Sequence, residues 1–140
     1  MDNSRAPRGL IVELITPLKN GGIDAAGLEE LLARTAPHAQ ALLLAGPRHG
    51  EGENMEMALR HELLEKTIDA LARRPLPLLV WVSGHTEDQT RENILSLHKR
   101  FGETRPAGGL FFVDTPLSYH SNRGLPDYYR ELLSMVNIPL

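Results

Sequence analysis

An apolar run followed by an amphipathic stretch of helical period recurs four times along this chain. The first run, Leu10-Ile11-Val12-Glu13-Leu14-Ile15, is rich in β-branched residues and stops at Thr16-Pro17. A continuous apolar run predicts a strand covered on both faces, as in parallel sheets, and Glu13 in its middle breaks the pattern. Lys19-Asn20-Gly21-Gly22 predicts a turn. Asp24 then predicts the cap of a helix whose inner face is Leu28, Leu31, Leu32 and Thr35 and which Pro37 ends. A second strand is predicted over 41–45, running into the loop Gly46-Pro47-Arg48-His49-Gly50-Glu51-Gly52.

The next stretch predicts a long helix with Met55, Leu59, Leu63, Thr67 and Leu71 in register, ending near Arg73-Arg74-Pro75, where the arginines complement the negative end of the helix dipole. A third strand over 78–82 stops at Ser83-Gly84. Thr86 and Gln89 have the spacing of a capping box, and Ile94, Leu97 and Phe101 predict the buried face of the following helix. A fourth strand over 109–113 ends at Asp114-Thr115-Pro116. Leu125-Pro126 opens a last helix with the stripe Tyr129, Leu132, Leu133 and Val136. Asn137-Ile138-Pro139-Leu140 reads as the start of a further strand. Trp81 and Phe111-Phe112 read as core.

Strands alternating with helices through short connections imply an α/β fold with parallel strands and right-handed crossovers. Two folds satisfy this pattern, a (β/α)₄ half of a TIM barrel and a small doubly wound sheet. The pattern leaves both open. The 140 residues predict a single domain spanning 1–140, short of the roughly 250 residues typical of a closed barrel. A net charge of −3 without a dense basic run argues against nucleic acid or an anionic membrane surface as partner. The absence of cysteine excludes disulfides, thiolate catalysis and cysteine-based zinc sites. No apolar segment at the N-terminus resembles a leader, and no run reaches the ~18 residues of a membrane span, so a cytoplasmic protein is expected.

Four local patterns fall in fixed order at the strand ends: Ile15-Thr16-Pro17 with Asn20-Gly21-Gly22-Ile23-Asp24, then Gly50-Glu51, then Pro77-Leu78-Leu79-Val80 with Ser83-Gly84, then Asp114-Thr115-Pro116 followed by Gly124. With these the chain resembles, over 9–140, the N-terminal half of the dihydrodipicolinate synthase / N-acetylneuraminate lyase family. These are class I pyruvate-dependent aldolases on a (β/α)₈ barrel. The resemblance selects the half-barrel, cut at the start of strand five, over the doubly wound sheet. It implies aldol addition or cleavage of 2-oxo acids through a Schiff base, with no cofactor. It also implies that the strand-five tyrosine and the strand-six lysine would lie past Leu140, so this chain alone should be silent.

Two departures mark the site. Where the family has Gly-Thr-Thr-Gly-Glu or Gly-Ser-Thr-Gly-Glu, this chain reads Pro47-Arg48-His49-Gly50-Glu51, which replaces two hydroxyls by a cation and an imidazole. Where close relatives of dihydrodipicolinate synthase carry two tyrosines after Thr-Pro, this chain has Leu117 and Ser118, with Tyr119 one step on. Arg48 can pair bidentately with a carboxylate, and His49 can move a proton near neutral pH. Glu51 is expected to cap the following helix or stand solvated. The candidate substrate-binding residues are thus Thr16, Arg48, His49, Gly50, Glu51, Thr115 and Ser118, with no catalytic residue and no metal ligand. His49, His85 and His120 follow successive strands, but no helical i, i+4 ligand pair accompanies them. The expected partners are a small 2-oxo acid such as pyruvate and either further copies of the chain or a complementary C-terminal half.

Overall fold

A computed structural model of the chain describes residues 6–115 and 123–140. Ser118, Leu117, Tyr119 and His120 lie outside the described residues. Four strands, β1 (Ile11–Glu13), β2 (Ala41–Leu44), β3 (Leu78–Trp81) and β4 (Leu110–Val113), pair in parallel in the order of the chain. A doubly wound sheet reverses its strand order near the middle. This sheet does not, and the (β/α)₄ half-barrel is the observed fold.

The helices α1 (Ala25–Thr35), α2 (Met57–Ala70), α3 (Glu87–Phe101) and α4 (Leu125–Met135) follow the four strands in turn. Alternate strand residues divide the sheet into two faces. Leu42, Leu44, Leu78, Val80, Leu110 and Phe112 join Leu28, Leu32, Leu63, Ile94, Leu97 and Leu132 in one helix-side core. Leu43, Leu79, Trp81 and Phe111 belong to the opposite face. That face has no covering layer among the described residues, so the first strand is not covered on both sides as its apolar run predicts: Ile11 is 39% exposed, and Leu10 and Ile15 beside it 55% and 60%. Ile138 is buried and Phe112 N donates to the Pro139 carbonyl at 2.7 Å, so the last residues lie along the outer edge of β4.

Local rules place most boundaries. Asp24 Oδ1 accepts from Gly27 N, and Thr86 Oγ1 accepts from Gln89 N, each at 3.2 Å. The expected turn is a hairpin pairing Leu18–Lys19 with Gly22–Ile23, and Asn20 and Gly21 take φ of 52° and 80°, the left-handed pair a tight antiparallel turn requires.

One predicted stripe is kept and one is rotated. A short 3₁₀ turn at Gly52–Asn54 precedes α2, which starts at Met57; Met55, Leu63, Thr67 and Leu71 are buried as the stripe predicts, Leu59 packs against the core, and Arg60 and Leu64 are buried beside them. Arg73 and Arg74 fall beyond its last turn. In α4 the buried pair is Tyr128 and Leu132, while Leu133 is 49% exposed because no element flanks that side of the helix among the described residues. No helix among them is long and apolar enough to cross a membrane.

Candidate functional site

The loop after β2 is held in an unfavourable backbone. Ala45 and Glu51 both adopt left-handed conformations, with φ of 51° and 60°. Each costs a residue with a side chain roughly 1–2 kcal/mol, which the surroundings must offset. Three contacts do so. Thr16 Oγ1, at the end of β1, donates to the Gly50 carbonyl at 2.6 Å in a buried position. At Gly50 a Cβ would stand 2.3 Å from Gly46 N, so only glycine fits where the loop folds back on itself. From behind, the Arg60 guanidinium donates to the carbonyls of Trp81 and, at 2.8 Å, Gly52. Arg60 is 2% exposed, and among the described residues no carboxylate pairs with it. Burial lowers its pKa to about 10.

Glu13, the anomaly of the first strand, points into the same loop. Its Oε1 accepts from Arg48 N at 3.2 Å and His49 N at 3.0 Å, and its Oε2 lies 3.3 Å from His49 Nδ1. The His49 N–H is the main cause that holds the Glu13 carboxyl below its ordinary value, against a smaller opposing effect of burial.

Beyond this loop a cavity of about 320 Å³ opens at the C-terminal ends of β2, β3 and β4, lined by Arg48, Trp81, Ser83, His85 and Thr115 among others. Its polar wall is tightly connected. Trp81 Nε1 donates to Thr115 Oγ1 at 3.1 Å, and Thr115 N donates to Ser83 Oγ at 2.8 Å. The Ser83 hydroxyl donates in turn to the Asp114 carboxylate. On the other side of Asp114, burial and then the Asp114 charge push the Tyr129 hydroxyl up to about 12.

The candidate residues therefore separate. Arg48 and Thr115 share the cavity. Thr16 and Gly50 shape the loop instead. His49 meets Glu13 and does not line the cavity, and Glu51 is exposed and makes no capping hydrogen bond with its side chain. Trp81, expected in the core, is buried but lies on the open face and walls the site. Ser83, Asp114, Glu13 and Arg60 were not among the candidates. Strand alternation from Val80 and Val82 signals the facing of Trp81, while the long-range partners of Glu13 and Arg60 leave no local pattern. The lysines, Lys19 on the hairpin, Lys66 on α2 beside Glu62 at 3.6 Å, and Lys99 on α3, all lie off the cavity.

Polar groups gathered at the C-terminal ends of neighbouring parallel strands, with helices on the other face of the sheet, define half of a (β/α)₈ barrel, whose rim loops carry the site. No family model matches the chain. It is 28% identical over 133 residues to the 4-hydroxy-tetrahydrodipicolinate synthase of Syntrophus aciditrophicus, covering 95% of this chain and 44% of that protein. It superposes with a TM-score of 0.75 on the dihydrodipicolinate synthase of Thermotoga maritima at 21% identity, over 94% of this chain and 42% of the other. The TM-score is 0.67, again at 21% identity and 94% and 42% coverage, for a prophage protein of the dihydrodipicolinic acid synthase family from E. coli K12 solved in complex with pyruvate. The chain spans less than half the length of the relatives it matches. In sequence and fold it is similar to the N-terminal half of dihydrodipicolinate synthases, the resemblance that its motifs imply.

Proposed function

We propose that this chain is the substrate-holding half of a pyruvate-dependent lyase or aldolase barrel, and that it performs no aldol chemistry by itself. The observation that carries the reading is the cavity at the strand ends, whose lining brings together a cation, Arg48, and the hydroxyl residues Ser83 and Thr115, with the Glu53 carboxylate as the one acidic group beside them among the described residues. A guanidinium pairs with a carboxylate, and the Thr115 hydroxyl, whose oxygen accepts from Trp81 Nε1, can donate to a neighbouring carbonyl oxygen, which together match a small 2-oxo acid. Because Glu13 already occupies the Arg48 and His49 amides, the ligand carboxylate falls to the Arg48 side chain. Schiff-base formation needs an unprotonated amine at the reacting carbonyl, and no lysine of this chain lines the cavity.

The missing amine would come from a complementary C-terminal half carrying strands five to eight. Alone, the chain covers its open sheet face and edges by association with further copies. A cytoplasmic setting suits this reading. The test is to incubate the chain with pyruvate and borohydride and measure its intact mass. No adduct alone, and a single reduced pyruvate adduct on the complementary polypeptide when both are mixed, is the expected result. A stoichiometric adduct on Lys19, Lys66 or Lys99 overturns it.

A further inference from the structure

Ser83 and Thr115 both line the cavity, yet their hydroxyls are not interchangeable. Ser83 is 2% exposed, and its proton has three acceptors within reach: the Asp114 carboxylate in the shortest contact, Thr115 Oγ1 at 3.3 Å and the Thr115 carbonyl at 3.5 Å. A charged acceptor at short range outcompetes neutral ones further off, so the proton goes to Asp114. The Tyr129 phenol on the far side stays protonated at neutral pH, so Asp114 has a hydroxyl and not a second anion on each side. Ser83 Oγ is left with lone pairs alone. One accepts from Thr115 N at 2.8 Å, and among the described residues the other has only the loose 3.3 Å contact with Thr115 Oγ1. Thr115 is the converse, since its oxygen accepts from Trp81 Nε1 at 3.1 Å and its proton remains to be donated. The polar wall thus presents an acceptor and a donor side by side.

We propose that Asp114 is a positioning residue that makes Ser83 an acceptor, and that the cavity accordingly binds an acid with a hydroxyl beside its carboxylate, a 2-hydroxy acid, more tightly than the corresponding 2-oxo acid. A ligand hydroxyl donates to Ser83 and accepts from Thr115 at once. An oxo oxygen can only accept, so it satisfies Thr115 and sets its lone pairs against those of Ser83. A site built around a hydroxyl penalises the analogue that lacks its hydrogen, because a buried polar group is then left unpaired. The inference rests on the reading of the cavity as an acid site with Arg48 as its cation, and it names the class of acid.

The experiment titrates the full chain with each enantiomer of lactate, with pyruvate and with propionate, and reads binding from backbone amide resonances at constant ionic strength. Pyruvate is the oxo counterpart of lactate, and propionate carries neither oxygen. The better lactate enantiomer is expected to bind about fivefold or more tighter than pyruvate, the size of one added hydrogen bond. Ser83→Ala and Asp114→Ala should each bring that ratio close to one, and Asp114→Asn, which keeps an acceptor oxygen, should fall between. A purely structural role would weaken both acids alike and leave the ratio unmoved. Lactate binding no tighter than pyruvate in the parent overturns the proposal, as does the parental ratio in whichever of the two alanine variants is folded. Failure of all three acids to bind the parent overturns the acid-site reading itself, and the proposal with it.

Discussion

Thr16 Oγ1 donates to the carbonyl of Gly50 at 2.6 Å, across 34 residues of sequence. This bond ties the end of β1 to the loop after β2, and both partners are buried. Thr16→Val keeps the shape and removes the donor, leaving a buried carbonyl unsatisfied. The expected cost is about 1–3 kcal/mol of unfolding free energy, read by chemical denaturation, with Thr16→Ser nearer the parent. A valine variant as stable as the parent would show that water or relaxation replaces the bond.

Arg60 stabilises through its hydrogen bonds and not through an ion pair. It is buried with no carboxylate partner among the described residues, and its two terminal nitrogens donate to the carbonyls of Trp81, Gly52 and Met55. Arg60→Met fills similar space but strands those acceptors, so it should destabilise by several kcal/mol and loosen the loop as well. Arg60→Lys should rescue only in part, because an ammonium lacks the planar fork. Hydrogen exchange at residues 46–52 provides the second readout. Protection unchanged in a folded Arg60→Met variant would rule out a role in holding the loop.

The Glu13 carboxyl is held below its ordinary value of 4.5 by the loop amides and His49. A depressed carboxyl contributes stability in full above the unfolded-state value. That contribution declines as pH falls below it and is gone once pH passes the folded-state value. Denaturation midpoints measured from pH 7 down to pH 3 should therefore fall more steeply in the parent than in Glu13→Gln. Parallel slopes would show that the carboxylate contact is not made in solution.

If the Arg48 guanidinium holds the ligand carboxylate, pyruvate should bind the parent weakly, Arg48→Ala should reduce affinity by about tenfold or more, and Arg73→Ala, an exposed position outside the cavity, should leave it unchanged. A charged hydrogen bond is worth roughly 1.5–3 kcal/mol, which sets the size of the effect. Calorimetric titration of the three proteins decides it. Equal affinities would move the carboxylate elsewhere.

The sequence made legible whatever depends on neighbours along the chain. Thr86 with Gln89 and Asp24 with Gly27 are cap pairs three residues apart, and the Ile94, Leu97 and Phe101 stripe follows from helical period alone. The face of α4, and the buried cation of α2, were less legible, because periodicity finds an apolar stripe but not which neighbour exists to bury a residue. Leu133 fits its stripe and is left open on an unflanked side, while Arg60 interrupts its stripe and is buried because three carbonyls await it. At the site, Arg48 was found through a departure from a family pattern, and Thr115 through its place at a strand end within that pattern. Glu13 was visible as an anomaly, but the amides that explain it lie 35 and 36 residues away, brought near by the β1 to β2 pairing.

The sheet's unfinished edges lead to the last prediction. Among the described residues, β1 has no neighbour on its outer side, and Leu10, Ile11, Ile15 and Leu18 are exposed at 55%, 39%, 60% and 49% around it. On the far side Leu133, 49% exposed, faces a groove of about 400 Å³ with Phe112, Tyr129 and Leu140. Open strand edges beside apolar surface pair with other chains unless charges or bulges prevent it. The chain should therefore run as a dimer or larger species at micromolar concentration. Ile15→Glu and Leu133→Glu, each placing an unpaired carboxylate in the contact, should shift it toward monomer without unfolding it, because both side chains are already solvated in the single copy. Light scattering across a dilution series, paired with circular dichroism, separates the outcomes. A folded parent that stays monomeric throughout would show that the open face tolerates water.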